Sequence, residues 1–442
     1  MKHQDIIEKM TLEDKIALCS GKDFWHTKDM PQYDLPAIMM SDGPHGLRKQ
    51  EAEADMLGVN ASVPATCFPT AVTTGNSWNV ELMNKIGETI AEEAIANQVS
   101  IVLGPGANIK RNPLCGRNFE YISEDPYLAG KMAADFIRGA EEKGVATSLK
   151  HFAGNSQETK RFTSDSVIDE RTLREIYLTA FEIAVKEGRP ETVMCAYNKI
   201  NGIHCSDNEK LLTDILRKEW GHQGIVVTDW GAMNDRIEGF KAGCDLSMPG
   251  GSDYMEDDVA KAVRSGALAE EIIDENVDRM IELILQSAAR LQKNATFDLE
   301  AHHEMAREAA REGIVLLKNK NHILPLQEGT KVALIGKMAE KIRYQGAGSS
   351  HINPTKLVQP KDVISHVAFA VGCDERGNTD ENLIKEAEKA ARTAEVAVVF
   401  AGLTEVYESE GFDRKDMKMP KGHVRMIEAV ASANPNTIVV LM

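Results

Sequence analysis

Two acidic segments of this 442-residue chain carry residue types suited to paired-carboxyl chemistry. Asp229 ends the apolar run Gly224-Ile-Val-Val-Thr-Asp-Trp230, so its carboxyl falls where a buried strand stops and an aromatic follows. Glu408 and Glu410 lie in Val406-Tyr-Glu-Ser-Glu-Gly-Phe-Asp-Arg414, a polar loop containing glycine. Glycosidic cleavage with retention needs two carboxyl groups roughly 5–5.5 Å apart. One attacks the anomeric carbon; the other protonates the leaving oxygen and then activates water. The second must sit in a pocket that raises its pKa. Asp229 suits the first role and either glutamate the second. Taken singly, each has a plainer reading: an acidic loop is usually solvated, and a strand-end aspartate often caps a turn or helix.

The elements that must position these groups are legible as alternating short apolar runs and longer amphipathic stretches between about residues 35 and 290. Candidate strands are 37–41, 101–103, 146–150, 192–197, 225–228 and 244–248, with helical patterns over 80–97, 127–143, 170–187 and 208–220. Repeated strand–helix units imply a parallel sheet, and so many in succession favour an α/β chain with a closed, (β/α)8-like TIM barrel. Polar residues gather at the strand ends: Ser41-Asp42-Gly43, Lys150-His151, Tyr197-Asn198 and Thr228-Asp229-Trp230. Loops after the strands build the active site of such a barrel. A long helical pattern over 270–293 closes this first domain, taken as residues 1–295. A linker and helix follow over 296–312. A second α/β unit spans 313–442, with strands at 332–335, 396–400 and 437–441. The sequence stops at that last strand, where an exposed apolar edge invites mispairing. The expectation is that the second domain is incomplete.

Composition bounds the partners. A formal net charge of −17 argues against nucleic acid, whose phosphates need a basic surface. No apolar run reaches membrane-spanning length, and the polar N-terminus lacks the apolar core of a signal peptide. Seven cysteines lie mostly in or beside apolar stretches, which reads as reduced thiols in the cytoplasm. No Cys-x-x-Cys pair supports zinc, His302-His-Glu304 lacks metal-site spacing, and the glycines of 104–106 and 336–348 do not match a dinucleotide fingerprint. No metal and no cofactor are expected. The partner expected is a small-molecule or oligosaccharide substrate, and self-association is left open.

Several longer segments point further: Met40-Ser-Asp-Gly-Pro-His-Gly-Leu-Arg48, Gly104–Glu120, Ser123-Glu-Asp-Pro126, Lys150-His-Phe152, Val227-Thr-Asp-Trp230 and Glu410-Gly-Phe-Asp-Arg414. In this order they resemble glycoside hydrolase family 3, from about residue 10 to the end. The resemblance implies a barrel followed by an α/β sandwich domain, with Asp229 as nucleophile. It implies Glu410 as acid/base from the second domain, with Glu408 in reserve. Sugar hydroxyls would be gripped by Asp42, Arg48, Arg117, Lys150, His151 and Arg161. Tyr197 would stand beside the nucleophile, Met194 on the wall, Trp230 towards the leaving group, and Ser349 or Ser350 would reach in from the second domain. Arg48 and Arg161 read almost equally well as structural ion-pair partners, and Met194 as plain core.

Family members acting on N-acetylglucosamine carry a histidine–aspartate pair soon after Lys-His-Phe; Lys150–Glu158 lacks it. The implied activity is therefore a retaining, exo-acting β-glucosidase, with a β-xylosidase as alternative. Two readings compete: a Schiff-base lyase using the strand-end Lys150, and an inactive sugar-binding fragment.

Overall fold

The structure, a computed structural model, describes every residue except 52, 53, 56–59 and 252. Five wholly buried strands form the barrel's parallel sheet: β1 (Met40–Asp42), β2 (Ile101–Leu103), β3 (Ala146–Phe152), β4 (Thr192–Cys195) and β5 (Ile225–Thr228), adjacent in that order. Burial on both faces is why these segments read as continuous apolar runs rather than alternating ones. Met40 faces Ile101 and Thr192 faces Ile225, which keeps the strand ends level at the site.

The ring closes differently from eight strand–helix repeats. Residues expected as a strand at 244–248 contribute a parallel bridge, Val227 to Leu246, with Ser247 bridging to Ser20. Antiparallel bridges then run from Gly21 to Thr27 and from His26 to Met39, which leads back to β1. The N-terminal segment thus supplies the last staves of the barrel. Nothing in Gly21-Lys-Asp-Phe-Trp-His-Thr27 carries a strand-like apolar pattern, because single bridges need no run of apolar residues.

The crossover helices begin on side-chain caps. Asn79 accepts from the Leu82 N–H ahead of α1 (Val80–Ala96), and Asp125 accepts from the Tyr127 N–H ahead of α2 (Pro126–Glu142). The pattern over 170–187 does not form one regular helix but a chain of short helical pieces from Glu170 to Gly188. Thr179 Oγ1 donates to the carbonyls of Arg174 and Glu175, a back-bonding that distorts the turn. Helices α3 (Lys210–Glu219) and α4 (Glu270–Arg290) also pack on the wall.

Helix α5 (Leu299–Gly313) still belongs to the barrel: Ala306 and Ala309 join its core, and His302 lies between Glu92 and Glu93. Ile314–Leu317, which follow this helix, form no strand and stand exposed. The second domain's parallel sheet runs β7–β6–β8–β9, from β6 (Val332–Ile335), β7 (Ala368–Ala370), β8 (Val396–Ala401) and β9 (Thr437–Leu441). One face packs Ile335 and Val399 against Ala387 of α6 (Glu381–Arg392) and Met426 of α7 (Lys421–Ala433). The other gathers Leu334, Met338 and Phe400. Strand β7 has three residues, too few to stand out from its neighbours in sequence.

Candidate active site at the domain junction

Asp229 is the first residue beyond β5, and its position is fixed by the backbone. Its N–H donates to the Cys195 carbonyl at 3.1 Å, and its Oδ1 accepts from the Trp230 N–H at 2.8 Å. The buried Oδ2 has no hydrogen-bond partner among the described residues; His151 Nε2 stands 3.6 Å away. Burial raises the pKa of this carboxyl, Arg117 and Arg161 pull against it, and Glu410 pushes it up again. His151 is oriented by its backbone, whose N–H donates to Asn108 Oδ1 at 2.7 Å, and by the Tyr121 hydroxyl, 3.1 Å from Nδ1. Burial, then the nearby Arg117, Lys150 and Arg161, hold the ring neutral, well below the usual histidine range.

Glu410 arrives from the second domain on the loop after β8. Its Oε1 accepts from Arg161 Nη1 at 2.7 Å and lies 3.5 Å from Arg117 Nη1; its Oε2 accepts from the Ser349 N–H at 2.7 Å. Burial would raise this carboxyl, but the two guanidiniums and the Ser349 N–H outweigh it and hold Glu410 below the ordinary glutamate range. A Cβ on Gly348, at φ +100°, would lie 2.4 Å from Glu410 Cβ, so this approach requires glycine. Glu408 points elsewhere: its Oε2 accepts from Arg343 Nη2 at 3.1 Å, within the second domain.

Below these carboxyls lies a buried polar floor. Asp42 Oδ2 accepts from Arg48 Nη2 at 2.9 Å, and Lys150 Nζ lies 3.1 Å from Glu120 Oε1 and 3.7 Å from Asp42 Oδ1. Arg117 is braced by Glu120 at 2.6 Å. Lys150 is thus engaged in ion pairs rather than presented as the free amine that Schiff-base chemistry requires.

With the open solvent at its mouth included, the cavity is about 320 Å³. Of the residues singled out in sequence, Asp42, Arg117, Lys150, His151, Met194, Tyr197, Asp229, Trp230 and Glu410 line it. Arg48 and Arg161 stand one step behind, gripping Asp42 and Glu410 respectively. Ser350 is buried, but the wall carries its neighbour Ser349 instead. Phe24 and Trp25 complete the rim, Phe24 with its ring 6.3 Å from that of Trp230 and Trp25 at 5.6 Å. Both come from the barrel-closing segment that the sequence pattern does not reveal. Glu120 and Glu158 are also missed; each sits three residues from its arginine, a spacing shared by any local ion pair. Among the described residues, no group of three or more His, Cys, Asp or Glu is arranged to hold a metal.

Two carboxyl groups, one at a barrel strand end and one lent by a following α/β domain, facing one small polar cavity, are the arrangement of a glycoside hydrolase. Residues 34–283 match the glycosyl hydrolase family 3 N terminal domain and residues 314–442 its C-terminal domain, and the chain belongs to this family. It is 52% identical to a thermostable beta-glucosidase B of Acetivibrio thermocellus, with 99% of the chain aligned. It is 47% identical to an exo-alpha-(1->6)-L-arabinopyranosidase of Bifidobacterium longum, with 98% aligned. The crystal structure of a Bifidobacterium adolescentis GH3 beta-glucosidase superposes with a TM-score of 0.92 at 46% identity, covering 98% of this chain and 63% of that one. The chain spans 59% of the length of each of the two curated relatives.

Proposed function

We propose that this chain hydrolyses terminal non-reducing β-D-glucosyl residues with retention, by two displacements. The observation that carries the reading is the buried Asp229 Oδ2, without a hydrogen-bond partner among the described residues, on a residue lining the cavity into which Glu410 is lent. In the first displacement Asp229 Oδ2 attacks the anomeric carbon while Glu410 gives its proton to the departing oxygen. In the second, Glu410 takes a proton from water, whose oxygen displaces Asp229 from the same carbon. Asp42, Lys150, His151 and Arg117 are placed to hold the sugar hydroxyls by short, directional hydrogen bonds. Phe24, Trp25 and Trp230 offer an aromatic rim for the leaving group.

The productive form carries its proton on Glu410, yet the free site favours an ionised Glu410. Loosening of the Arg161–Glu410 pair when the cavity is occupied would favour that protonated form.

A second substrate reading has its own support in the arabinopyranosidase relative. An α-L-arabinopyranoside differs from a β-D-glucoside at C4 and lacks the exocyclic hydroxymethyl group, as a xyloside also does. A panel of aryl β-glucoside, β-xyloside and α-L-arabinopyranoside ranks the three by kcat/KM. A 2-deoxy-2-fluoroglucosyl fluoride tests the mechanism, with an adduct on Asp229 as the expected outcome. Turnover of aryl glucosides without labelling of Asp229 would overturn it, and binding of glucose with no turnover would leave a sugar-binding protein. The seven free thiols further support residence in a reducing compartment such as the cytoplasm, which fractionation tests.

A further inference from the structure

Glu410 sits on a loop that crosses from one domain to the other, and its own side chain is not all that holds it there. Three residues on, Asp413 points back at the barrel. Its Oδ1 accepts from the Gly116 N–H at 3.1 Å and the Glu158 N–H at 2.9 Å, and its Oδ2 accepts from the Thr159 N–H at 2.8 Å. The donors lie on two separate barrel loops, those following β2 and β3. Each loop also carries a guanidinium that meets Glu410: Arg117 adjoins Gly116, and Arg161 follows Thr159.

We propose that Asp413 is a positioning residue for Glu410, holding the loop 409–414 against both barrel loops so that the acid/base stands at the leaving-group oxygen. Bonds from backbone N–H groups to a carboxylate are stronger than neutral ones. Burial would raise the Asp413 carboxyl, but the N–H bonds of Glu158, Thr159 and Gly116 win and keep it ionised. Other contacts leave little slack. A Cβ on Gly116 would lie 1.9 Å from the Phe412 carbonyl oxygen. The Gly411 N–H donates to Glu158 Oε2 at 2.9 Å, and the Arg414 N–H donates to the Leu114 carbonyl at 2.8 Å. Asp413 is the one side chain of this stretch that grips both barrel loops by their backbone, so it fixes Glu410 and its two arginines as one unit. Catalytic geometry is sensitive to displacements of about 1 Å, and an acid held that far off loses most of its effect.

This inference rests on Glu410 being the acid/base, and two readouts on Asp413→Asn separate the two claims. Asparagine keeps the shape but turns a donor towards one of the three N–H groups. The first readout is kcat/KM, which reports the first displacement, across aryl glucosides of falling leaving-group acidity. The expected loss is about 30-fold or more on phenyl β-glucoside and under about threefold on 2,4-dinitrophenyl β-glucoside, which needs little acid help. Thermal unfolding should be unchanged. An equal loss on both substrates would overturn the proposal, because a general structural fault does not sort substrates by leaving group. The second readout is amide exchange at Gly116, Glu158, Thr159 and 409–414, where faster exchange is expected and unchanged exchange would overturn it. If the wild-type chain turned over no glycoside at all, the hydrolase reading would fall, while exchange would still decide whether Asp413 holds the loop.

Discussion

Nη1 of Arg161 lies 2.7 Å from Glu410 Oε1 and 2.8 Å from Glu158 Oε2, so a single nitrogen of the barrel serves a carboxylate on each domain. The same economy of charge extends through the site. Among the described residues, five buried carboxyl groups (Asp42, Glu120, Glu158, Asp229, Glu410) share it with four buried cations (Arg48, Arg117, Lys150, Arg161), while His151 is neutral. An unbalanced charge out of water is costly, so one proton on the carboxyls brings the cluster to neutrality. That is the one proton a two-carboxyl hydrolase needs. Asp229 and Glu158 are pushed up by burial and Glu410 is held down by its arginines. In the free site Asp229 and Glu158 therefore take up a proton more readily than Glu410 does.

The first prediction follows from where that proton can go. In the wild type kcat/KM should be bell-shaped: both carboxyls protonated on the acid side, both ionised on the alkaline side. With Glu410→Gln and a dinitrophenyl glucoside, only the ionisation of Asp229 matters. The alkaline limb should vanish, and activity should rise with pH through a single titration above the ordinary aspartate range, since burial raises Asp229. Removing the Glu410 charge, which also pushes Asp229 up, should place that titration below its wild-type position. A variant that kept the wild-type bell would place the titrating acid elsewhere.

The second prediction separates the two loop glutamates. Glu410→Ala should lose about 10²- to 10⁴-fold in kcat/KM on alkyl glucosides. Azide should restore turnover of activated substrates by attacking the glucosyl-enzyme, yielding the β-glucosyl azide. Glu408 is held by Arg343 at 3.1 Å, away from the cavity. Glu408→Ala should stay within about threefold of the wild type in kcat/KM, because its side chain meets Arg343 and not the cavity. Azide rescue of Glu408→Ala instead of Glu410→Ala would reverse the assignment.

Much of this site could be read from the chain because reactive residues at barrel strand ends stand out against apolar runs. Asp42, Lys150, His151 and Asp229 each follow or end such a run and each reaches the cavity. What stayed hidden acts through other side chains or through irregular backbone. Glu120 and Glu158 touch arginines and lysine rather than the cavity, so their sequence surroundings look like ordinary ion pairs. Phe24 and Trp25 reach the rim only because isolated bridges close the barrel with the N-terminal segment. Which of Ser349 and Ser350 faces in could not be read, because no periodicity sets it in a glycine-containing turn.

A third prediction concerns Glu120, which braces Arg117 at 2.6 Å and Lys150 at 3.1 Å without lining the cavity. Glu120→Gln keeps the shape and removes the charge that holds both cations at the cavity. Inhibition by glucose should weaken about tenfold, near the value of one charged hydrogen bond. The leaving-group dependence should be unchanged, because Glu410 keeps its own contacts. A loss confined to poor leaving groups would instead place Glu120 in proton transfer.

The fourth prediction lies away from the chemistry, at Asp245, whose side chain is fully buried where the barrel's bridging segment meets β5. Its Oδ2 accepts from Arg217 Nη2 at 2.6 Å and from the Val226 N–H at 2.6 Å, and its Oδ1 accepts from Arg279 Nε at 2.7 Å. Arg217 belongs to α3 and Arg279 to α4, so one carboxylate ties two helices to β5. Removing one member of a buried ion pair strands the other charges without water, at a cost of about 3–5 kcal/mol. Asp245→Ala should destabilise the barrel by that order, read as a lower urea midpoint. The kcat/KM of the fraction still folded should be near wild type, because none of these groups touches the cavity. A midpoint close to wild type would mean that water reaches Arg217 and Arg279 and screens them once the carboxylate is gone.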